Sequence, residues 1–240
     1  DAKLRPLLVA YEGWIAEREG ELTSSDMTEH VEAGRNALDR CRDSLRRIGE
    51  GITLLGEDEQ AADAFRFANR AMWKQRTQSL HAHLIRSGKD ADLRTVDVPT
   101  NRSWYAFQLA FILLNLPGIT RLDHPDRSEE ASAVADLLWF PTGGGKTEAY
   151  LGLSAYTMGL RRLQGTVEGR EGEHGVAVLM RYTLRLLTIQ QFQRASALVC
   201  ACEMIRRDDP ARWGQEPFRI GLWVGYRVTP NTTEQSAQAV

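Results

Sequence analysis

The stretch Leu137-Leu138-Trp139-Phe140-Pro141-Thr142-Gly143-Gly144-Gly145-Lys146-Thr147 decides how this chain is read. Its opening apolar run, Leu137 to Phe140, suits a short strand buried on both faces. Lys146 opens a stretch of helical periodicity that runs to about Leu163. Strand, glycine-rich turn and helix in that order form the setting in which a phosphate loop works. A triphosphate carries several negative charges that must be stripped of water and held. Consecutive backbone N–H groups do so only where the chain can curl tightly, which favours residues without a Cβ. The positive end of the following helix adds to the field. Thr142, Gly143, Gly144 and Gly145 therefore read as the cradle for ATP. Lys146 would reach the β- and γ-phosphates, and the Thr147 hydroxyl would ligate Mg²⁺, making this pair the catalytic candidates. The general phosphate-loop pattern has a further glycine where this chain carries Phe140.

Downstream of the loop, Gly165 to Gly175 reads as a polar, exposed and mobile loop. Val176 to Met180 is a second apolar, β-prone run, followed by a helix over about Leu184–Arg207. Phe218 to Val224 makes a third such run. Strands that are continuously apolar and alternate with helices predict a parallel sheet covered on both faces, with right-handed crossovers.

Upstream, the texture is helical. Leu4, Leu7, Leu8, Tyr11, Trp14 and Ile15 recur at helical spacing and stop near Gly20. Ser24-Ser25-Asp26 offers a cap for a second helix carrying Val31, Leu38, Cys41, Leu45 and Ile48, with a stop expected at Gly49 or Gly51. A third, opened by Glu57-Asp58-Glu59, carries Ala61, Ala64, Phe65, Ala68, Met72 and Trp73 toward Ile85. A fourth, Tyr105 to Asn115, is expected to close at Pro117-Gly118. Phe65, Phe67 and Trp73 are expected in the core rather than as a base-stacking platform. His81 and His83 are placed on a solvated face. Cys200 and Cys202 sit two apart on a helix and point away from each other, so they make no metal pair.

With 42% hydrophobic and 26% charged residues, neither disorder nor a fibrous repeat describes the whole chain. The net charge of −2 excludes a wholly basic nucleic-acid-binding domain. It conceals an asymmetry: residues 1–136 carry 18 basic and 23 acidic residues, and the remainder 12 and 9. Cys41, Cys200 and Cys202 are too few for a disulfide framework, so the cytoplasm is the expected compartment. The longest apolar run, Trp104 to Leu116, is too short for a membrane span, which needs about 20 residues. With no positively charged start followed by an apolar stretch, no signal peptide is expected. Starting at Asp1-Ala2-Lys3 and ending at Gln238-Ala239-Val240, it is expected to be a piece of a longer protein.

The run Thr142-Gly143-Gly144-Gly145-Lys146-Thr147 resembles the phosphate loop of superfamily 2 helicases, which do not keep the glycine replaced here by Phe140. Tyr182-Thr183-Leu184-Arg185-Leu186-Leu187-Thr188-Ile189-Gln190 resembles their motif Ia, with Arg185, Leu187 and Gln190 in step and Thr183 one position early. That resemblance implies that Thr183, Arg185 and Gln190 meet the phosphates of a nucleic-acid strand, a task suited to a helix start with hydroxyl and guanidinium donors. Phe107-Gln108-Leu109-Ala110 resembles the adenine-recognising glutamine motif, with Ala110 one residue early. Gln108 is read either as an adenine reader, pairing through amide donor and acceptor, or as a helical polar residue without a ligand. Gly225, Tyr226, Arg227, Thr229 and Asn231 are read as an exposed loop or as lining the nucleic-acid path.

A closer likeness is carried by Ala64 to Trp73, Phe107 to Gly118 and Asp136 to Tyr150, which together resemble the DrmA family, the helicase-like component of bacterial DISARM anti-phage systems. The resemblance implies a helical N-terminal domain (1–100), a connector (101–136), and the first part of a RecA-like lobe with a parallel sheet (137–240). It also implies ATP-dependent action on DNA, single-stranded or duplex with a single-stranded end, and a DrmB-like partner protein. After Lys146 no apolar strand ends in the Asp-Glu pair that motor ATPases need for Mg²⁺ and water; Asp208-Asp209 ends a helix instead, and Glu129-Glu130 precedes the loop. The chain alone is therefore expected to bind nucleotide without turning it over at motor rates. The alternatives are a phosphate-loop switch acting on protein partners, and an inert scaffold.

Overall fold

The computed structural model describes residues 2–128, 133–141, 143–182, 185–223 and 232–238, without the side chains of 25 and 185–188. Its helices are α1 (Arg5–Glu21), α2 (Val31–Glu57), α3 (Glu59–Arg86), α4 (Leu93–Val96), α5 (Ala106–Thr120), α6 (Pro125–Ser128), α7 (Lys146–Gln164), α8 (Arg185–Asp208), α9 (Pro210–Trp213) and α10 (Thr233–Gln238). The strands present among the described residues are β1 (Thr166–Val167) and β2 (Arg170–Glu171), which pair antiparallel.

The parallel sheet expected of a RecA-like lobe is absent among these residues, and the fold is mainly helical. The described parts of the three apolar runs taken for strands, 137–140, 176–180 and 218–223, follow no ladder. A buried central strand needs a hydrogen-bonded neighbour on each side and cover on each face. These runs lack both: Leu137, Trp139, Val176, Leu179 and Trp223 are 77–97% exposed. The glycine-rich loop after α7 is built rather than open, because the Arg161 guanidinium donates to the carbonyls of Glu171, His174 and Val176 and holds the β1–β2 hairpin against the end of α7.

The helical periods, by contrast, map onto real helices. α3 is the central strut, packed against α7, α8 and α2, while α5 lies on α2 and α7 and α1 lies on α2. Asp58 ends α2 and starts α3, its carboxylate accepting from the Ala61 N–H at 2.9 Å. One face of α3 is Ala61, Ala64, Ala68 and Ala71, all buried. On α7, Ala149 and Ala155 are buried, Gly152 leaves room for the Ile112 and Trp104 side chains, and Gly159 leaves room for the Phe67 ring of α3. A Cβ at Gly159 would lie 2.8 Å from the Phe67 ring. Ile112, Leu113 and Leu116 of α5, Leu151, Tyr156 and Leu160 of α7, and Leu198, Cys202 and Ile205 of α8 complete one hydrophobic cluster. The cluster thus draws on helices from both sides of residue 136. Phe67 is buried in it and Phe65 packs at its edge, whereas Trp73 is 39% exposed and donates to Asp97. No helix among the described residues is long and apolar enough to cross a membrane.

Two stop signals are overridden. α2 runs straight through Gly49 and Gly51, and α5 through Pro117-Gly118. The two exceptions explain each other. Pro117 has no N–H, so the Leu113 carbonyl one turn earlier loses its helical donor. That carbonyl faces Gly51, where a Cβ would sit 2.0 Å from the oxygen. Glycine here serves a close helix crossing.

The chain after α8 is anchored by Glu203, whose carboxylate accepts from Arg206, Arg207 and the Phe218 N–H. These bonds, led by Arg206, hold it down at about 2.

Gly51→Ala is expected to cost about 1–3 kcal/mol in denaturant unfolding, since the helices must separate to admit a methyl group. Because the Glu203 pKa is depressed in the folded state, its stabilisation is complete above the ordinary value of 4.5 and is lost as pH falls toward about 2. Acid unfolding of Glu203→Gln is therefore expected to show a smaller loss of stability over that window than the parent chain.

Candidate functional site

The glycine-rich turn stands at the start of α7, as the sequence indicates. Gly143 and Gly145 have φ of +83° and +90°, conformations that side chains with a Cβ resist. Between them, the Gly144 N–H donates to the Pro141 carbonyl at 3.1 Å and closes a turn. Gly145 is the N-cap of α7, and among the described residues no side chain caps that end. The first N–H groups of a helix have no acceptor within it, so they face outward as donors. A Cβ at Gly143 would meet nothing within 4 Å, so the turn opens onto free space.

Phe140, the residue in place of a glycine, has a structural role. Its ring stacks on Phe107 with centroids 4.0 Å apart and planes within 11°. Tyr105 continues the stack beyond Phe107 at 6.1 Å. On its other side Phe140 lies over Gly144, where a Cβ would come within 2.5 Å of the ring. Its carbonyl accepts from the Lys146 ammonium, and the Pro141 carbonyl lies 3.5 Å from the same nitrogen. Lys146 thus folds back over the turn it follows.

Gln108 lies beneath the turn and is 3% exposed. Its Oε1 accepts from the Tyr105 N–H at 2.9 Å, and its Nε2 donates to the Gly145 carbonyl at 2.8 Å. One amide therefore caps the start of α5 and fastens it to the glycine turn. The segment leading into the turn is fixed farther back. The Arg47 guanidinium of α2 bonds Asp136 through both terminal nitrogens at 2.6 and 2.8 Å and Asp126 through Nε at 2.9 Å, with its side chain 8% exposed. Its pKa is raised, chiefly by the hydrogen bonds to Asp136. Nearby, His124 pairs with Glu50 at 2.9 Å.

Thr147 follows Lys146 on the first turn of α7 and is half-buried. The uncapped helix end, the open turn and the Lys146 ammonium fit a phosphate group. Among the described residues no three His, Cys, Asp or Glu side chains gather to hold a metal ion, so a Mg²⁺ ion at Thr147 would take most of its ligands from phosphate oxygens and water. Gln190 is exposed near the start of α8, and Arg185 begins that helix. Thr142, Thr183 and the group Gly225, Tyr226, Arg227, Thr229 and Asn231 lie outside the described residues. Cys200 is exposed and Cys202 buried, as their spacing requires; burial pushes the Cys202 thiol up. His83 is exposed, whereas the His81 ring meets the Ala91 carbonyl at 2.9 Å.

Sequence reasoning missed Arg47, its two aspartates and the Glu148–Arg194 ion pair that joins α7 to α8. Arginines on helices read as solvated, and the partners lie far along the chain. The available signal is the pair of aspartates, Asp126 and Asp136, in the last part of the connector.

The fold and site define a mainly helical protein with a glycine-rich turn at the head of α7. The chain is similar to the DISARM protein DrmA of Bacillus paralicheniformis, with 43% identity over 232 residues. The match takes in 95% of this chain and 20% of that protein, so the chain spans about a fifth of the length of the curated relative it matches. The likeness read from Ala64–Trp73, Phe107–Gly118 and Asp136–Tyr150 is thereby borne out. No protein-family profile matches the chain.

Gln108→Ala is expected to leave the Gly145 carbonyl and the Tyr105 N–H without their partners, costing about 1–3 kcal/mol. Hydrogen exchange should then accelerate at the first amides of α7 more than in α3.

Proposed function

We propose that this chain is the nucleotide-binding part of a helicase-like ATPase that acts on DNA in anti-phage defence in the cytoplasm. The observation that carries the reading is the head of α7: an uncapped helix end, a glycine turn with two positive φ values, and Lys146 folded over it. In this reading Gly143, Gly144, Gly145 and the first N–H groups of α7 receive the phosphates of ATP, with Thr142 contributing to the same cradle. Lys146 leaves the carbonyls of Phe140 and Pro141 for the β- and γ-phosphates, and Thr147 offers its hydroxyl to Mg²⁺. Bound ATP with Mg²⁺ supplies the free energy of phosphoryl transfer. Gln108, buried and bonded through both ends of its amide, supports the cradle through the Gly145 carbonyl. Thr183, Arg185 and Gln190, around the start of α8, face a nucleic-acid strand.

Similarity to the DISARM protein DrmA supports the defence role, and a DrmB-like partner belongs to the same proposal. A second reading is a nucleotide-dependent switch that engages protein partners without tracking DNA. It is favoured by the exposed apolar side chains of Leu137, Trp139, Leu179 and Trp223, since such groups mark association surfaces when they lie together. ATP hydrolysis stimulated by single-stranded DNA, with binding that weakens steeply as salt rises, supports the first reading and excludes the second.

Lys146→Ala in the full-length polypeptide is expected to abolish ATP-dependent activity while leaving the thermal unfolding midpoint essentially unchanged. Retained DNA-stimulated hydrolysis by the folded variant would overturn the assignment.

A further inference from the structure

The third residue of α7, Glu148, places a carboxylate on the helix turn that the nucleotide reading assigns to phosphate. Isolated, such a carboxylate is favoured there by the helix dipole. Beside an incoming triphosphate it is a like charge in the same field. One of its oxygens, Oε1, accepts from the Arg194 guanidinium of α8. The other, Oε2, is buried without a hydrogen-bond partner among the described residues and lies 3.5 Å from where a Gly145 Cβ would be, directly under the turn. Lys146 does not neutralise it, because that ammonium is turned to the carbonyls of Phe140 and Pro141. The pair is partly shielded from water, with side chains 25% and 36% exposed. Arg194 is thus the cation seen to pair with Glu148 among the described residues.

From this arrangement, and resting on the nucleotide-binding reading above, we infer that Arg194 is a positioning residue for nucleotide: it compensates the charge of Glu148 so that the turn can accept phosphate. Arg194 acts through Glu148 and need not touch the ligand. Without it, an unpaired carboxylate stands within about one helical turn of the phosphates, where partly screened repulsion between unit charges amounts to about a tenfold loss of affinity.

The decisive experiment titrates the full-length polypeptide with a fluorescent ATP analogue and Mg²⁺ at low and high salt. Arg194→Gln should weaken binding about tenfold at low salt and less at high salt. Arg194→Lys, which keeps the charge, should bind within about twofold of the parent. Glu148→Gln alone should bind at least as tightly as the parent. The double variant Glu148→Gln, Arg194→Gln should recover parental affinity although it lacks the ion pair between α7 and α8. Recovery in that double variant separates charge compensation from a structural clamp. A folded Arg194→Gln variant with parental affinity overturns the inference, and so does a double variant as weak as the single one. If the parent binds no nucleotide, the functional reading falls and this inference with it; if the parent binds and Lys146→Ala does not, only the inference is at stake.

Discussion

The close approach of α3 and α7 is the constraint on which the other elements depend. Ala61, Ala64, Ala68 and Ala71 line a buried face of α3, and on α7 Gly159 leaves room for the Phe67 ring of α3 while Gly152 leaves room for Ile112 and Trp104. Packing of this kind is unforgiving, because a larger side chain must push the helices apart. It also fixes α7 along its whole length, and therefore fixes the direction in which the first turn of α7 points. The glycine-rich turn is aimed by residues several helical turns away from it.

Lacking a sheet to hold its approach, the turn is secured by side chains. Arg47 grips Asp136 at one end of the incoming segment, and the Phe107–Phe140 stack holds the other. Gln108 fastens the last carbonyl of the turn from below. Arg47 belongs to α2 and Phe107 and Gln108 to α5 in the connector, so elements upstream of the turn supply the scaffold of the candidate site. Glu148 and Arg194 then connect that site to α8.

Much of the helical architecture was legible because a period of 3.6 is a local property. α3, α7 and α8 begin and end within a few residues of where periodicity puts them. The errors have a common physical origin. Gly51 and Pro117 signal termination only if the helix is considered alone; their purpose, the crossing at the Leu113 carbonyl, is settled by a partner more than fifty residues away in the chain. The apolar runs at 137–140, 176–180 and 218–223 have strand composition, but a strand exists only where a neighbour accepts its hydrogen bonds, and none does among the described residues. For the site, Gly143, Gly144, Gly145 and Lys146 were legible because the loop's chemistry is written in consecutive residues. Gln108 reads from sequence as an adenine reader or as a ligandless polar residue of a helix, while its bonds to Tyr105 and Gly145 depend on how α5 lies against α7. Arg47 could not be found from spacing.

The three-way contact of Arg47 has a consequence for the chain that it encloses. By bonding Asp126 and Asp136 at once, a single guanidinium fastens two points of the connector to each other as well as to α2. Topologically this is a cross-link, and like a disulfide it removes conformational freedom from the segment between its ends. It differs in being held by charge and geometry alone.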